Sequence, residues 1–159
     1  MTQIDLRPFT AADRDWLVQA HIETYGQAES SDASFGVLVA QILDDFLRDH
    51  DPVCERGWIV WEGTTRLGSI FCVRLDADTA KLRLFQLVPQ VRGAGWGGCY
   101  WRPVQDSRAQ GYARMKLWTH KSHAAANTLY LRNGWEIIAQ EPVFKYGQHL
   151  VERIMQLRL

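Results

Sequence analysis

Neither sign of charge prevails in this chain, and long apolar runs are missing. Its 159 residues include 18 basic and 18 acidic side chains, so the formal net charge is zero. A neutral chain has no general electrostatic attraction for nucleic acid or for an anionic membrane, so we expect neither as a partner. No stretch approaches the roughly 20 apolar residues of a membrane span. Residues 1–5 also lack the basic and apolar pattern of a signal peptide.

Cysteine is scarce as well. Cys54, Cys72 and Cys99 are widely separated, and no CxxC or Cys/His ligand spacing accompanies them. This excludes a disulfide framework and a zinc site as the basis of the fold, and we expect no metal. An odd number of scattered cysteines is typical of a reducing compartment, so we expect a cytoplasmic protein.

The composition is that of an ordinary globular protein, with 47% apolar and 23% charged residues. A chain of this length corresponds to one domain, residues 1–159, and buries roughly two thirds of its unfolded surface. We find no repeat and no interdomain linker.

Hydrophobic spacing and turn residues predict an α+β fold. Antiparallel pairing is expected for the first strands and a parallel crossover for the helix after Gly97, giving a mixed central sheet of about seven strands with helices on both faces. The predicted strands are 3–7, 58–61, 67–75, 80–88, 114–119, 135–139 and 150–157. The predicted helices are 10–26, 34–48, one that ends at Gly111, and one capped by Ser122 that ends near Asn133.

The segment from the strand at 80–88 into the next helix is the most informative. Gly93, Gly95 and Gly97 let the backbone approach a ligand closely because they have no Cβ. The following helix begins with unpaired N–H groups and a partial positive charge, and Arg92 adds a formal charge. Together these features indicate an anion site suited to a pyrophosphate.

These glycines are also compatible with other kinds of loop. Residues 93–98 also match the dinucleotide pattern GxGxxG, but 89–92 separate them from the strand, and the next strand ends without an acidic residue. A P-loop is excluded because no GK[ST] is present. A glycine-rich turn without a ligand is disfavoured, since three alternating glycines weaken helix initiation by about 1 kcal/mol each.

The residues Gln90-Val91-Arg92-Gly93-Ala94-Gly95 resemble the Q/R-x-x-G-x-G/A motif of the GNAT N-acetyltransferases. Residues 127–135 resemble the second signature of that family, with Trp135 in place of the usual Phe. Two motifs at this separation are more specific than either alone. The stretches 21–25 and 81–84 are most similar to acetyltransferase domains fused to MarR-type regulators.

This resemblance implies a GNAT-like domain, acetyl-CoA as cofactor and a set of residue roles. Backbone groups of Leu87 and Val88 would hold the pantetheine arm of coenzyme A. Asn127 would hydrogen-bond the cofactor, and Tyr130 would face its sulfur as a catalytic residue. The pyrophosphate would bind the N–H groups of Arg92, Gly93, Ala94, Gly95, Trp96 and Gly97.

The chemistry of Tyr130 agrees with that role. Asn127 and Tyr130 are three residues apart, so they share a helix face. A thiolate leaves when an amine attacks the thioester. Because a phenol has a pKa of about 10 and a thiol about 8.5, proton transfer from Tyr130 to the thiolate is only moderately uphill. Without the resemblance, a packed amphipathic aromatic would be the preferred interpretation of Tyr130.

The acceptor is expected to be a primary amine of a small molecule, amino acid or peptide, attacking directly in a ternary complex. Many relatives use a glutamate on the strand before the loop as base, but residues 80–88 contain no acid. The alternatives are a non-catalytic acyl-CoA sensor and transfer of a longer acyl group, and the sequence leaves a homodimer open. The candidate bases and acceptor-site residues are His21, Glu23, Tyr25, Glu29, Phe35 and His120.

Overall fold

Seven strands form a single mixed sheet in the computed structural model, which describes residues 4–26, 34–87, 101–145 and 147–159. The order across the sheet is β1-β2-β3-β4-β5-β7-β6, and every neighbouring pair is antiparallel except the parallel pair β4 and β5. The strands are β1 (Ile4–Pro8), β2 (Arg56–Glu62), β3 (Thr65–Arg74), β4 (Thr79–Leu87), β5 (Arg114–His120), β6 (Glu136–Lys145) and β7 (Gln148–Arg158).

Within the described ranges, four α-helices accompany the sheet. Two come before β2, and the first of them is extended at its start by a 3₁₀ turn (Ala11–Asp13) and at its end by a π turn (Ile22–Gly26). The helices are α1 (Arg14–His21), α2 (Ser34–Asp49), α3 (Trp101–Ala109) and α4 (Ala124–Arg132). Within the described part of the chain, no helix is both long and apolar enough to cross a membrane.

Alternating side chains divide the core between the two faces of the sheet. Ile59 and Phe71 pack with side chains of α1 and α2, among them Leu17 and Leu43. Their neighbours in the same strands belong to a second cluster on the opposite face, which includes Val104 of α3 and Tyr130 of α4. The period of two in a strand explains this division. The predicted fold class, a mixed sheet with helices on both faces, is confirmed.

Two predicted details were wrong. His123, not Ser122, occupies the N-cap position of α4, and its side chain makes no capping hydrogen bond. The strand predicted at 135–139 continues to Lys145, where it forms a long hairpin with β7. This strand is at the edge of the sheet and exposed along nearly its whole length. It therefore lacks the apolar alternation by which a half-buried strand is recognised.

A β-bulge interrupts β4. The register with β3 shifts between Ser69 and Phe71, and Leu84 adopts a left-handed backbone conformation with φ 51°. The buried hydroxyl of Ser69 donates a hydrogen bond of 2.6 Å to the carbonyl oxygen of Leu84. A bulge bends the strand that contains it and increases its twist. Ser69 thus fixes the bent geometry of β4.

Replacing Ser69 with alanine should destabilise the fold, because a buried carbonyl loses its hydrogen-bond donor. We expect a loss of about 1–2 kcal/mol, or a melting temperature lower by several degrees in a domain of this size. Thermal denaturation monitored by circular dichroism measures this change in melting temperature. Thr128→Ala, an exposed position on α4, is the control. Equal melting temperatures for the two variants would show that the bulge does not need this bond.

Candidate functional site

The parallel strands β4 and β5 separate after a short paired segment. Residues 79–81 of β4 are in register with 114–116 of β5, and no pairing between the two strands is recorded beyond Lys81 and Lys116. Each strand nevertheless continues, β4 along β3 and β5 along β7. Among the described residues the two inner edges are therefore not paired with each other, and backbone N–H and C=O groups need hydrogen-bond partners when buried. An extended ligand with amide groups can supply them by adding like a strand.

A cavity of about 400 Å³ occupies this opening. Its walls come from both faces of the sheet, α1 and α2 on one side and α4 on the other. From the helices the lining residues are His21, Phe35, Leu38, Val39, Ile42, Ala126 and Tyr130, with His123 at the start of α4. From the strands they are Lys81, Leu82, Arg83, Leu84, Phe85, Leu117, Trp118, Thr119, His120, Lys145 and Glu152.

Tyr130, the predicted catalytic residue, is in the wall formed by α4. Its side chain is 5% exposed and belongs to the core cluster of the α3 and α4 face. The ring centroid lies 6.4 Å from that of Phe85 and 5.7 Å from that of Trp135. These apolar neighbours hold the phenol ring at the cavity and limit the access of water to it.

Asn127 is one turn before Tyr130 and fixes the start of α4. Its side-chain amide donates hydrogen bonds to the carbonyl oxygens of His120 at 3.0 Å and His123 at 2.7 Å. Its side-chain oxygen accepts a bond of 3.2 Å from Arg153. Asn127 therefore joins the end of β5 to α4, and the second lone pair of its oxygen is the group that can accept a further bond.

The two candidate histidines have different surroundings. His21 is buried, and its Nδ1 donates a hydrogen bond of 3.0 Å to the carbonyl oxygen of Leu17. Burial lowers the pKa of His21 to about 4, so the ring is neutral and weakly basic near pH 7. His120 ends β5, lines the cavity, and has its ring centroid 5.3 Å from that of His123.

The remaining predicted residues divide into four groups. Phe35 lines the cavity. Glu23 is exposed and outside the lining, where it accepts a bond from Gln19. Leu87 is the last residue of β4, at the open edge. Outside the described residues lie Val88, Arg92, Gly93, Ala94, Gly95, Trp96, Gly97, Glu29 and the side chain of Tyr25.

Sequence reasoning missed several polar residues of the cavity: Lys81, Arg83, Trp118, Lys145 and Glu152. Lys81 and Arg83 alternate with core residues along β4, a spacing that places both on one face of the sheet. This alternation could be read from the sequence. Whether the two side chains line a cavity could not, because the opening depends on how far β4 and β5 pair, and they are distant in the chain. No cluster of metal-ligating side chains is found among the described residues.

Comparison with solved structures identifies this architecture. An acetyltransferase of the GNAT family from Staphylococcus aureus matches with TM-score 0.78 and 16% identity, over 99% of each chain. A protein from Salmonella typhimurium assigned as an acetyltransferase, solved with its cofactor acetyl-CoA, matches with TM-score 0.72 and 19% identity over 98% of this chain and 94% of that one.

Spermidine N-acetyltransferase from Vibrio cholerae, in complex with CoA and spermine, matches with TM-score 0.73 and 15% identity over 98% of this chain and 95% of that one. No family model and no curated protein sequence matches the chain. At these identities the comparisons show the fold, which is that of the GNAT acetyltransferases.

The buried His21 should make stability fall with acidification. Its pKa is about 4 in the folded protein and 6.5 in its ordinary state, so the unfolded chain binds the proton first. Stability is therefore lost as the pH falls from about 6.5 to 4, by about 3 kcal/mol in full.

Urea denaturation of the wild type and of His21→Gln across this pH range measures the effect. The free energy of unfolding of the variant should depend less on pH than that of the wild type. Carboxylates titrate in both proteins, so their contributions cancel in the difference. Parallel curves would contradict burial of a neutral His21.

Proposed function

We propose that the protein is an acetyl-CoA-dependent N-acetyltransferase that acts on a primary amine of a small molecule, amino acid or peptide. The observation that carries the proposal is the opening between β4 and β5, with Tyr130 buried in its wall. Because β4 and β5 are not paired with each other here, an extended thioester can lie along their backbone edges, and the phenol supplies an acid beside it. The likeness in fold to GNAT acetyltransferases supports the same conclusion.

The pantetheine arm fits the open edge because it is extended and contains two amide groups. We infer that it pairs with backbone groups near the end of β4, at Leu87 and Val88. The pyrophosphate would then reach the glycine loop and bind the N–H groups of residues 92–97. Asn127 would accept a hydrogen bond from the cofactor through the free lone pair of its side-chain oxygen.

The reaction we propose is direct attack of a neutral amine on the thioester carbonyl in a ternary complex. Holding both reactants in one cavity supplies most of the rate enhancement, and a backbone N–H of β4 polarises the carbonyl. The carbon–sulfur bond breaks as the carbon–nitrogen bond forms, and Tyr130 protonates the leaving thiolate. His120 is the proposed base, since the low pKa of His21 makes that residue a poor proton acceptor.

The subtype found with MarR-type regulators is a finer part of this proposal. It rests on the similarity of residues 21–25 and 81–84 to those domains. Both stretches contribute to the cavity, the first through His21 and the second through Lys81, Leu82, Arg83 and Leu84. If this part of the cavity is the acceptor site, as we propose, the similarity concerns the residues by which a subtype would be distinguished.

Two measurements on the purified chain test the proposal. Acetyl-CoA should raise the melting temperature, and an amine panel that includes amino acids, peptides and polyamines should provoke release of CoA thiol. Failure of acetyl-CoA to bind would contradict the proposal. If acetyl-CoA binds but no amine provokes thiol release, the result would instead support an acyl-CoA sensor. If succinyl-CoA or a longer acyl-CoA raises the melting temperature more than acetyl-CoA does, the transferred group would be that acyl group and not acetyl.

Replacing Tyr130 with phenylalanine should lower turnover by about 10²-fold or more, the usual contribution of a general acid. The affinity for acetyl-CoA and the melting temperature should change little, because the ring and its packing remain. Tyr112→Phe is a matched control, since Tyr112 is outside the cavity lining. Unchanged turnover in Tyr130→Phe with the best amine of the panel would show that the acid role is wrong.

A further inference from the structure

Cations outnumber carboxylates in the described lining of the cavity. Lys81, Arg83 and Lys145 are basic, whereas Glu152 is the acidic lining residue. The side chain of Glu152 is 14% exposed and forms an ion pair with Lys145, in which Oε2 and Nζ are 2.8 Å apart. That pair neutralises itself, so the charge that remains for a ligand is that of Lys81 and Arg83.

Lys81 and Arg83 have no carboxylate within 4 Å among the described residues. Both side chains are half-buried. Burial is the main cause that lowers the pKa of each. The charges of Arg83 and Lys145 lower the pKa of Lys81 further against the opposing effect of Glu152, and Glu55 opposes the shift of Arg83. The Lys81 ammonium lies 4.5 Å from the ring centroid of Trp118, and a cation–π contact of this kind offsets part of the lost hydration. Two adjacent desolvated cations make a site that an anion would stabilise.

The strand geometry puts these cations on the acceptor side. Ala80 and Leu82 belong to the core of the α3 and α4 face, where Tyr130 also lies. Because side chains alternate along a strand, Lys81 and Arg83 point to the α1 and α2 face. An acetyl group held in the opening would then have the phenol on one face and the two cations on the other.

We propose that Lys81 and Arg83 bind a carboxylate of the acceptor, so that the substrate is an amino acid or a similar zwitterionic amine and not a polyamine. A carboxylate on Lys81 and Arg83 would hold the amine of the same molecule near the opening. A polyamine would bring like charges against both side chains. This inference rests on the proposed function, because it takes the cavity as an acceptor site.

The test is calorimetric titration of the chain saturated with CoA. The probes are N-acetyl-L-amino acids, which resemble the product, each paired with its N-acetyl-L-amino acid amide, together with spermine. At least one carboxylate should bind 10-fold or more tightly than its amide. Lys81→Gln should weaken the binding of that carboxylate 10-fold or more and leave the affinity for acetyl-CoA unchanged. Arg83→Gln provides a second variant if the first is unstable.

Lys116→Gln is the matched control, because Lys116 is opposite Lys81 in the strand register and outside the cavity lining. It should leave carboxylate binding within about 2-fold of wild type. The proposal is wrong if no carboxylate binds more tightly than its amide. It is wrong too if spermine binds and Lys81→Gln raises the affinity for spermine. It is also wrong if Lys81→Gln weakens the binding of acetyl-CoA instead, since the cations would then bind a phosphate of the cofactor.

Titrations without CoA separate this inference from the proposed function. If the chain binds no CoA but binds a carboxylate through Lys81, the acetyltransferase proposal fails and the anion site stands. If it binds acetyl-CoA and no carboxylate, only the anion site fails.

Discussion

The geometry of this protein depends on the short pairing between its two parallel strands. β4 and β5 are in register over three residues each, at 79–81 and 114–116, and then separate. The bulge at Leu84, held by the Ser69 hydroxyl, bends β4. Backbone groups at the inner edges are left to pair with something other than a strand, which is costly in a buried sheet unless a ligand or water supplies the partners. The cavity and the residues around it follow from this separation.

The opening connects two faces of the sheet with different chemistry. On the α4 side, Asn127 fixes the helix to the end of β5 and Tyr130 lies one turn further on in an aromatic environment. On the α1 and α2 side are the cations of Lys81 and Arg83. A thioester held between them would meet a proton donor at its sulfur from one face and an incoming amine from the other. The proposed division of roles thus follows from strand alternation and from where α4 begins.

Much of this architecture was predictable because it is encoded locally. Apolar spacing predicted the order of strands and helices, and a separation of three residues placed Asn127 and Tyr130 on one helix face. The left-handed conformation of Leu84 was not predictable, since leucine disfavours it and only the pairing with β3 imposes it. The full length of β6 was missed because an exposed edge strand needs no apolar pattern. The roles of Leu87, Val88, residues 92–97, Asn127 and Tyr130 all stay predictions from the sequence.

Hydrogen–deuterium exchange of the chain with and without acetyl-CoA tests the central claim most directly. If the pantetheine arm adds as a strand to the open edge, amides at 82–87 of β4 should gain protection, while those of β1 and β2 should not change. Binding of acetyl-CoA that leaves the amides at 82–87 unaltered and protects another region would contradict the account, because the opening between β4 and β5 would then have no part in holding the thioester.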